Sequence, residues 1–263
     1  MIKKKKIPMF CVVLLLLLAL TMGGCGSSDG EITELAQLDG QVFAVPTGTA
    51  ADQLVLSKIP NAQFQYYNTV FDACLAVKSG KAVAAAYDEP ILRNIAAKTE
   101  GLYVLPEMIT ENNYAFAVQL DNKELKATID KVINDLKSNG TYDDMLKRWL
   151  PETGAPASMP EIPLTGDNGV LRFGTAAITE PFSFVDGSHE EVGFDIELAK
   201  YVAQELGMKL EIVDLDFVSL LPALASDKVD MIGACLTITE ERAKSVLFSE
   251  PYYEGGIAAL VKK

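Results

Sequence analysis

Charged and hydroxyl-bearing side chains follow several β-rich runs of this sequence directly. Asp88 follows one such run, and Thr237, Thr239 and Arg242 follow another. The two threonines alternate around a single residue, so both hydroxyls can face the same side. A carboxylate can accept hydrogen bonds from an α-ammonium, and a guanidinium can fork onto an α-carboxylate. The set therefore predicts a site for a small amino-acid-like zwitterion.

A turn and an aromatic ring add weaker signals for the same site. Gly48 and Thr49 lie between a β-rich run and a predicted helix, where glycine permits close approach of the backbone. The free N–H groups at a helix start also favour an anion. Phe217 follows a further β-rich run and offers an aromatic ring.

Each of these residues also has a purely structural interpretation. Arg242 could form a surface ion pair with Glu240 or Glu241, and Asp88 could cap the helix that follows it. Phe217 could simply pack in a core, and the threonines could cap a helix. The sequence spacing alone leaves these alternatives open.

Two α/β segments, 38–150 and 170–263, must position these side chains, with a Pro- and Gly-rich linker over 151–169. Alternating strands and helices predict mainly parallel sheets covered on both faces, with ligands beyond the carboxyl ends of the strands. The predicted strands cover about residues 41–45, 82–87, 114–120, 170–174, 210–213, 229–234 and 257–261. The predicted helices cover about residues 49–58, 69–79, 90–98, 122–140, 141–149, 195–207, 218–225 and 239–246, with Asn122 and Asp195 as caps.

Composition narrows the classes of function. The 263 residues are 49% hydrophobic and carry a formal net charge of −13, which suits a globular protein and repels nucleic acid. His189 is the one histidine, and there is no CxxC or Cys/His cluster, so we expect no metal site. His189 lies in a turn-like run, which argues against a catalytic Ser–His or Cys–His pair. We expect no cofactor.

The N-terminus has the organisation of a secretory signal. Residues 3–6 are lysines, and residues 8–20 are an apolar run that is shorter than the ~20 residues of a membrane span. Small residues then precede Cys25. This pattern predicts a signal peptide over residues 1–24.

Residues 20–25, LTMGGC, resemble a bacterial lipobox. The resemblance implies a lipid on Cys25, a tether over 25–37 and anchoring at the outer face of the cell membrane. Met22 stands where the lipobox usually has leucine. An ordinary signal peptide with an incidental cysteine is the alternative.

Most of the remaining sequence resembles the family-3 (polar amino acid) extracellular solute-binding proteins of ABC transporters. In the second segment the matching text is FGT at 173–175, PFSF at 181–184, VGFD at 192–195, LPAL at 221–224, LTITEER at 236–242 and FSEPYY at 248–253. In the first segment it is LDG at 38–40, VPTGT at 45–49, AVKSG at 76–80, YDEP at 87–90 and NGTY at 139–142.

The order of the two segments is the reverse of the family order, which resembles a circular permutation. The implied domains are the family's second lobe over 38–117, a crossover with helices packing on the other lobe over 118–150, the linker over 151–169 and the family's first lobe over 170–263. Crossover strands at 114–120 and 256–261 would preserve the hinge. A gene fragment of tandem binding proteins and a domain-swapped dimer are alternatives.

The resemblance implies a type II periplasmic-binding-protein-like fold that closes on an amino acid and delivers it to an ABC permease, without enzymatic turnover. It implies Arg242 for the ligand carboxylate and Asp88 for the ligand ammonium. The other implied ligand-binding residues are Thr237, Thr239, Cys235 through its backbone, Phe217, Gly48, Thr49 and Tyr87.

The sequence departs from the family pattern at several positions. Ala176 stands where many members have an acidic residue, which argues against a cationic ligand, and Thr179 stands where an aromatic ring often stacks. An enzyme similar to the cyclohexadienyl dehydratases, with Glu180 or Asp88 as acid or base, is one alternative. A ligand-sensing module without transport is another.

Overall fold

The computed structural model describes residues 31–151 and 157–263, so the predicted signal peptide, Cys25 and residues 26–30 lie outside the described residues. The strands are β1 (Val42–Pro46), β2 (Gln63–Tyr67), β3 (Ala84–Asp88), β4 (Leu102–Val104), β5 (Thr110–Tyr114), β6 (Ala117–Gln119), β7 (Val170–Thr175), β8 (Ile178–Thr179), β9 (Ser183–Val185), β10 (Glu191–Val192), β11 (Lys209–Asp214), β12 (Met231–Ile232), β13 (Val246–Phe248) and β14 (Tyr253–Lys262). The α-helices are α1 (Ala51–Lys58), α2 (Val70–Lys78), α3 (Glu89–Lys98), α4 (Lys123–Asn139), α5 (Thr141–Trp149), α6 (Phe194–Leu206) and α7 (Leu220–Ala225).

Two larger sheets define two lobes with the same strand arrangement. The N-lobe sheet has the order β2-β1-β3-β14-β4, with β5 also pairing β14, and the C-lobe sheet has the order β11-β7-β12-β6-β13. In each sheet the first three local strands are parallel neighbours, and the next position holds an antiparallel strand that comes from the other segment of the chain. The two-lobed α/β architecture is the one that the sequence predicts, but the sheets are mixed where the sequence predicts mainly parallel ones, because each sheet receives an antiparallel strand from the other segment.

The chain crosses between the lobes at two adjacent places. It passes from β5 to β6 after Tyr114, and it returns to the N-lobe at the start of β14. The crossings touch, because the Tyr252 N–H donates to the Tyr114 carbonyl over 3.0 Å. The sequence predicts a single strand over 114–120, and this is wrong: β5 ends at Tyr114 because it pairs in one sheet, whereas β6 pairs in the other. Paired crossings of this kind form a two-strand hinge.

The helices α4 and α5 leave the first crossing and pack on α6 of the C-lobe. The predicted cap is confirmed, since the Asn122 side chain accepts a hydrogen bond from the Leu125 N–H over 3.2 Å. Gly140 ends α4 with a φ of 84°, which glycine adopts without a steric penalty. The residues Leu125, Ile129, Val132, Ile133 and Leu136 make the buried stripe of α4.

Two predicted helix features differ from the structure. The segment 239–246 contains a 3₁₀ turn, Arg242–Lys244, followed by β13, because its β-forming residues complete the sheet beside β6. The residue before α6 is Gly193, not Asp195. A side chain at Gly193 would lie 2.2 Å from the Phe182 carbonyl oxygen, so only glycine fits there. Asp195 instead turns inward from the first turn of α6.

The segments predicted as tether and linker are packed where they are described. Leu35–Leu38 is a 3₁₀ turn whose two leucines are buried in the N-lobe core, although the sequence predicts a tether as far as residue 37. Residues 157–169 have no regular structure but lie along the C-lobe. Gln204 Nε2 donates to the Pro163 carbonyl over 3.2 Å, and Asn168 Nδ2 donates to the Leu206 carbonyl over 2.8 Å.

A buried carboxylate joins α5 to α6. Glu197 is fully buried and accepts hydrogen bonds from Trp149 Nε1 over 2.6 Å and from Arg148 Nη1 over 2.8 Å. Burial raises the pKa of Glu197, and both donors act in the opposite direction. The helix α5 is therefore attached to the C-lobe through a buried carboxylate that both of its donors stabilise.

In the part of the chain that the structure describes, every helix is too short or too polar to span a bilayer.

We expect Arg148→Met to lower the free energy of unfolding by about 3 kcal/mol, because it leaves Glu197 buried without its countercharge. Lys147→Met is the matched control on the same helix, since the exposed Lys147–Asp144 pair contributes at most ~0.5 kcal/mol. Urea unfolding measures both. Equal losses in the two variants would contradict this account of α5.

Candidate functional site

A small cavity lies where the carboxyl ends of strands from both lobes meet. Its volume is about 10 Å³, close to the minimum for one water molecule, so the cleft between the lobes is closed. Six of the predicted ligand-binding residues line it: Thr49, Tyr87, Asp88, Phe217, Thr237 and Arg242. Gly48, Cys235 and Thr239 are outside this lining.

Asp88 supplies the negative charge from the N-lobe. It ends β3 and shares a face with Ala84 and Ala86, the face on which α1 packs. The side chain is only 4% exposed, and Oδ1 has no hydrogen-bond partner among the described residues. The sequence left open that Asp88 caps α3. The residue does precede α3, but its side chain makes no cap hydrogen bond. Its carboxylate therefore faces the cavity.

The surroundings of Asp88 set its protonation. Burial raises the pKa of Asp88 to about 7, whereas the Tyr114 hydroxyl and the Arg242 guanidinium act in the opposite direction. A donor that entered the cavity would offset the desolvation of the carboxylate.

Arg242 supplies the positive charge from the C-lobe. Its Nη1 donates to the Thr237 carbonyl over 2.9 Å, and its guanidinium lies 5.5 Å from the centre of the Phe217 ring. Burial lowers the pKa of Arg242, which Tyr87 and Asp88 oppose, but a guanidinium stays protonated. Within the described residues it forms no ion pair with a neighbouring glutamate. Phe217 packs against the C-lobe core and also lies beside the arginine, so it has both of the roles that the sequence left open.

The turn after β12 carries the remaining C-lobe groups. Thr237 is buried at the cavity, but the Thr239 hydroxyl accepts the Arg242 N–H over 3.2 Å and so has the capping role that the sequence left open. Cys235 is buried with a φ of 51°, a left-handed conformation that is uncommon for residues other than glycine. Its N–H donates to Asp195 Oδ2 over 3.1 Å, which holds this turn in place. Burial raises the pKa of the Cys235 thiol, so the thiol stays protonated.

Gly48 lies at the contact between the lobes instead of in the cavity. Its φ is 76°, and a side chain there would lie 2.3 Å from Val218 Cγ1 of the C-lobe. Thr49 beside it bonds within its own turn, donating to the Pro46 carbonyl over 3.0 Å. The closed cleft therefore requires glycine at position 48.

A second contact closes the cleft elsewhere. Lys98 Nζ of the N-lobe lies 2.6 Å from Glu180 Oε2 of the C-lobe. Asn94 Nδ2 also donates to the Glu180 carbonyl over 3.4 Å. The lysine is more than half exposed, so the pair contributes little energy but fixes which surfaces meet.

Sequence reasoning missed the residues that support the cavity from behind. Tyr114, Asp195 and Tyr252 are buried beside it. The VGFD motif could have pointed to Asp195. No sequence motif points to Tyr114, whose position follows only from the pairing of β5 with β14. No group of three His, Cys, Asp or Glu residues that could hold a metal ion occurs in 31–151 or 157–263.

Comparison with known proteins concerns mainly the C-lobe. The family model described as bacterial extracellular solute-binding proteins, family 3, matches residues 171–263. The arginine-binding extracellular protein ArtP of Bacillus subtilis is 43% identical over 93 residues, which are 35% of this chain and 36% of that protein. The ABC transporter glutamine-binding protein GlnH of the same organism is 38% identical over 101 residues, 37% of each chain.

A solved structure also matches part of the chain. The arginine-bound form of domain 1 from TmArgBP is 46% identical, with 36% of this chain and 81% of that chain covered and a TM-score of 0.33. The chain thus spans little more than a third of the length of the curated relatives that it matches.

We expect Gly48→Ala to open the cleft, because the added methyl group would overlap Val218. Gly80→Ala is the matched control: its φ is 74° and no atom lies within 4 Å of the added group. Both variants lose about 1 kcal/mol from the left-handed backbone. Only Gly48→Ala should increase the radius of gyration in X-ray scattering, and adding Val218→Ala should reverse that increase. Equal scattering from all of these variants would contradict the assigned lobe contact.

Proposed function

We propose that the chain is a family-3 extracellular solute-binding protein, since residues 171–263 match the model of that family, and that it captures an amino acid between its two lobes and delivers it to an ABC permease. One observation carries the proposal. Asp88 of the N-lobe and Arg242 of the C-lobe line one closed cavity.

The charges of the cavity match those of an amino acid's main chain. Asp88 Oδ1, buried and without a partner among the described residues, is an acceptor for an α-ammonium. Arg242 donates to one carbonyl and has further N–H groups for an α-carboxylate. Each such charged hydrogen bond contributes ~1.5–3 kcal/mol. Neither lobe supplies both charges, so the ligand is held by closure.

The closed cavity makes binding depend on hinge motion. A volume of about 10 Å³ cannot admit an amino acid, so the lobes must separate for entry. The two adjacent crossings at Tyr114 and Tyr252 supply the hinge. A ligand that bridges Asp88 and Arg242 would shift the population towards a closed form that surrounds it.

The ligand class proposed is an amino acid or a similar small zwitterion. The relatives are named for arginine and for glutamine. Ala176 is buried and uncharged in this chain, so the carboxylate that many family members place there is absent. The relatives are named as binding proteins, and we propose that this chain also binds its ligand without turnover.

The order of the lobes supports a circular permutation of the family pattern. The helices α4 and α5 precede the matched residues 171–263 in the chain, yet they pack on α6 within that match. We propose lobes at 38–117 and 170–263, with the crossover and closing helices at 118–150 and the linker at 151–169. A monomeric mass by light scattering is expected; a stable dimer would favour domain swapping.

We propose that the chain acts outside the cytoplasm, because the family model that matches residues 171–263 describes extracellular proteins. We further propose that residues 1–24 are removed and that Cys25 carries a lipid, which anchors the protein to the membrane. The observation behind this is the lipobox-like text before Cys25. Membrane fractionation of the wild type against Cys25→Ser tests it, with release of the variant as the expected result.

We expect a screen of the common amino acids to find a ligand that raises the melting temperature, with ~2.7 kcal/mol of added stability at 100 times its Kd. Arg242→Ala should weaken binding by about 100-fold in calorimetry, because the carboxylate loses a charged fork. Arg93→Ala is the control: the Arg93 side chain is 59% exposed and lies outside the cavity lining, so this variant should bind normally. Undiminished affinity in Arg242→Ala would contradict the site.

We also expect ligand binding to release a proton at about pH 6. The pKa of Asp88 is raised to about 7, so the free carboxyl is mainly protonated there, and the ligand ammonium favours its ionised form. At about pH 8 the carboxyl is already ionised, so little release should occur. Calorimetry in buffers of different ionisation enthalpy measures the difference. Equal release at both pH values would contradict it.

A further inference from the structure

The buried polar atoms without hydrogen-bond partners are confined to one region of the described chain. They are Asp88 Oδ1, Tyr114 Oη, Asp195 Oδ1 and Tyr252 Oη. These atoms form two carboxylate–tyrosine pairs, in which Tyr114 acts on Asp88 and Tyr252 on Asp195. Each tyrosine lies at one of the two crossings of the hinge.

The Tyr114 ring reaches the Asp88 side of the sheet by crossing β14. Tyr114 pairs with Tyr253 on one edge of β14, whereas Asp88 pairs with Ile257 on the other edge. A side chain at Gly255 would lie 2.6 Å from the Tyr114 hydroxyl, so the ring lies over this glycine.

The face of β14 on which the ring lies is also the face that carries Asp88. Gly255 and Ile257 are two residues apart and point to the same face, and directly paired residues share a face. The Tyr114 ring is fixed there by stacking on Tyr253, with centroids 5.6 Å apart, and by an edge contact with Phe182 at 5.9 Å. The hydroxyl of a rigid hinge residue is thereby directed at the carboxylate of the cavity.

We propose that Tyr114 is a positioning residue for the ligand, whose hydroxyl donates to the Asp88 carboxylate and so links occupancy of the cavity to the hinge. This inference rests on the proposed function for the identity of the ligand. An unpaired buried hydroxyl and an unpaired buried carboxylate oxygen are each costly, so a small rotation that joins them is favoured. Asp88 then presents its other lone pairs to an ammonium in one orientation.

The electrostatic surroundings of Asp88 agree with this role. The titratable and charged groups that face it are Tyr87 on its own strand, Tyr114 on β5, Arg242 of the 3₁₀ turn, Cys235 after β12 and Asp195 on α6. Burial raises the pKa of Asp88, and the Tyr114 hydroxyl is the largest opposing influence. Without that hydroxyl the carboxylate would be protonated at a higher pH.

The second pair supplies a matched control. Tyr252 is also fully buried at the hinge, but its hydroxyl faces Asp195, whose other oxygen is bonded to the Cys235 N–H. Neither Tyr252 nor Asp195 lines the cavity. Tyr252→Phe therefore removes the same atom from the other crossing without touching Asp88.

The test is a ¹³C NMR titration of the Asp88 carboxyl in the ligand-free full chain, assigned with Asp88→Asn. We expect Tyr114→Phe to raise the midpoint by about one pH unit, since a hydrogen bond to a charged group contributes ~1.5 kcal/mol. Tyr252→Phe should not raise the midpoint, because it favours the neutral form of Asp195, which removes negative charge near Asp88. Gly255→Ala, which displaces the ring but keeps the hydroxyl, is the second variant and should raise the midpoint in the same direction.

Binding of L-arginine and L-glutamine at about pH 6 and about pH 8 supplies the second readout. Tyr114→Phe should weaken binding more at the lower pH, and Tyr252→Phe, which lies outside the cavity lining, should show no such preferential loss at the lower pH. An unshifted midpoint in Tyr114→Phe and Gly255→Ala, or an equal shift in Tyr252→Phe, would overturn the proposal. Failure of every amino acid to bind the wild type would overturn the proposed function instead, and the titration would still decide whether Tyr114 acts on Asp88.

Discussion

Two opposite formal charges from different lobes face one closed cavity, and the rest of the described architecture follows from the need to bring them together. Asp88 ends a strand of the N-lobe, and Arg242 follows a strand of the C-lobe. Burial makes the carboxylate costly to ionise unless a positive group arrives. Under the proposed function a zwitterion would satisfy both charges simultaneously, so its capture and the closure of the lobes would be one event.

The hinge explains how distant parts of the sequence can supply one cavity. Each sheet contains a strand from the other segment of the chain: β14 completes the N-lobe sheet and β6 completes the C-lobe sheet. Because both crossings are kept, the order of the lobes along the chain can be exchanged without changing the cavity. The proposed permutation requires this. Contacts at Gly48 and Glu180 join the two lobes in the closed state, and the hydrogen bonds of Glu197 attach α5 to the C-lobe.

Local patterns predicted much of the fold, and tertiary contacts decided the remainder. The Asn122 cap and the stripe of α4 were predictable because capping and helical periodicity are local properties. The position of Asp88 was predictable because it directly follows a buried run. Tyr114 was not, since its role depends on Gly255 in a strand that is far away in sequence and adjacent in space. Local residue types also could not show that the segment of Arg242 becomes a turn and a strand, because β6 provides the partner.

The most direct measurement of the central claim is a crystal structure of the protein with the amino acid that stabilises it most. The account predicts closed lobes, with the ligand ammonium within hydrogen-bond distance of the Asp88 carboxylate and the ligand carboxylate on the Arg242 guanidinium. A ligand bound outside the cleft, or one that touches only one of these two residues, would contradict it.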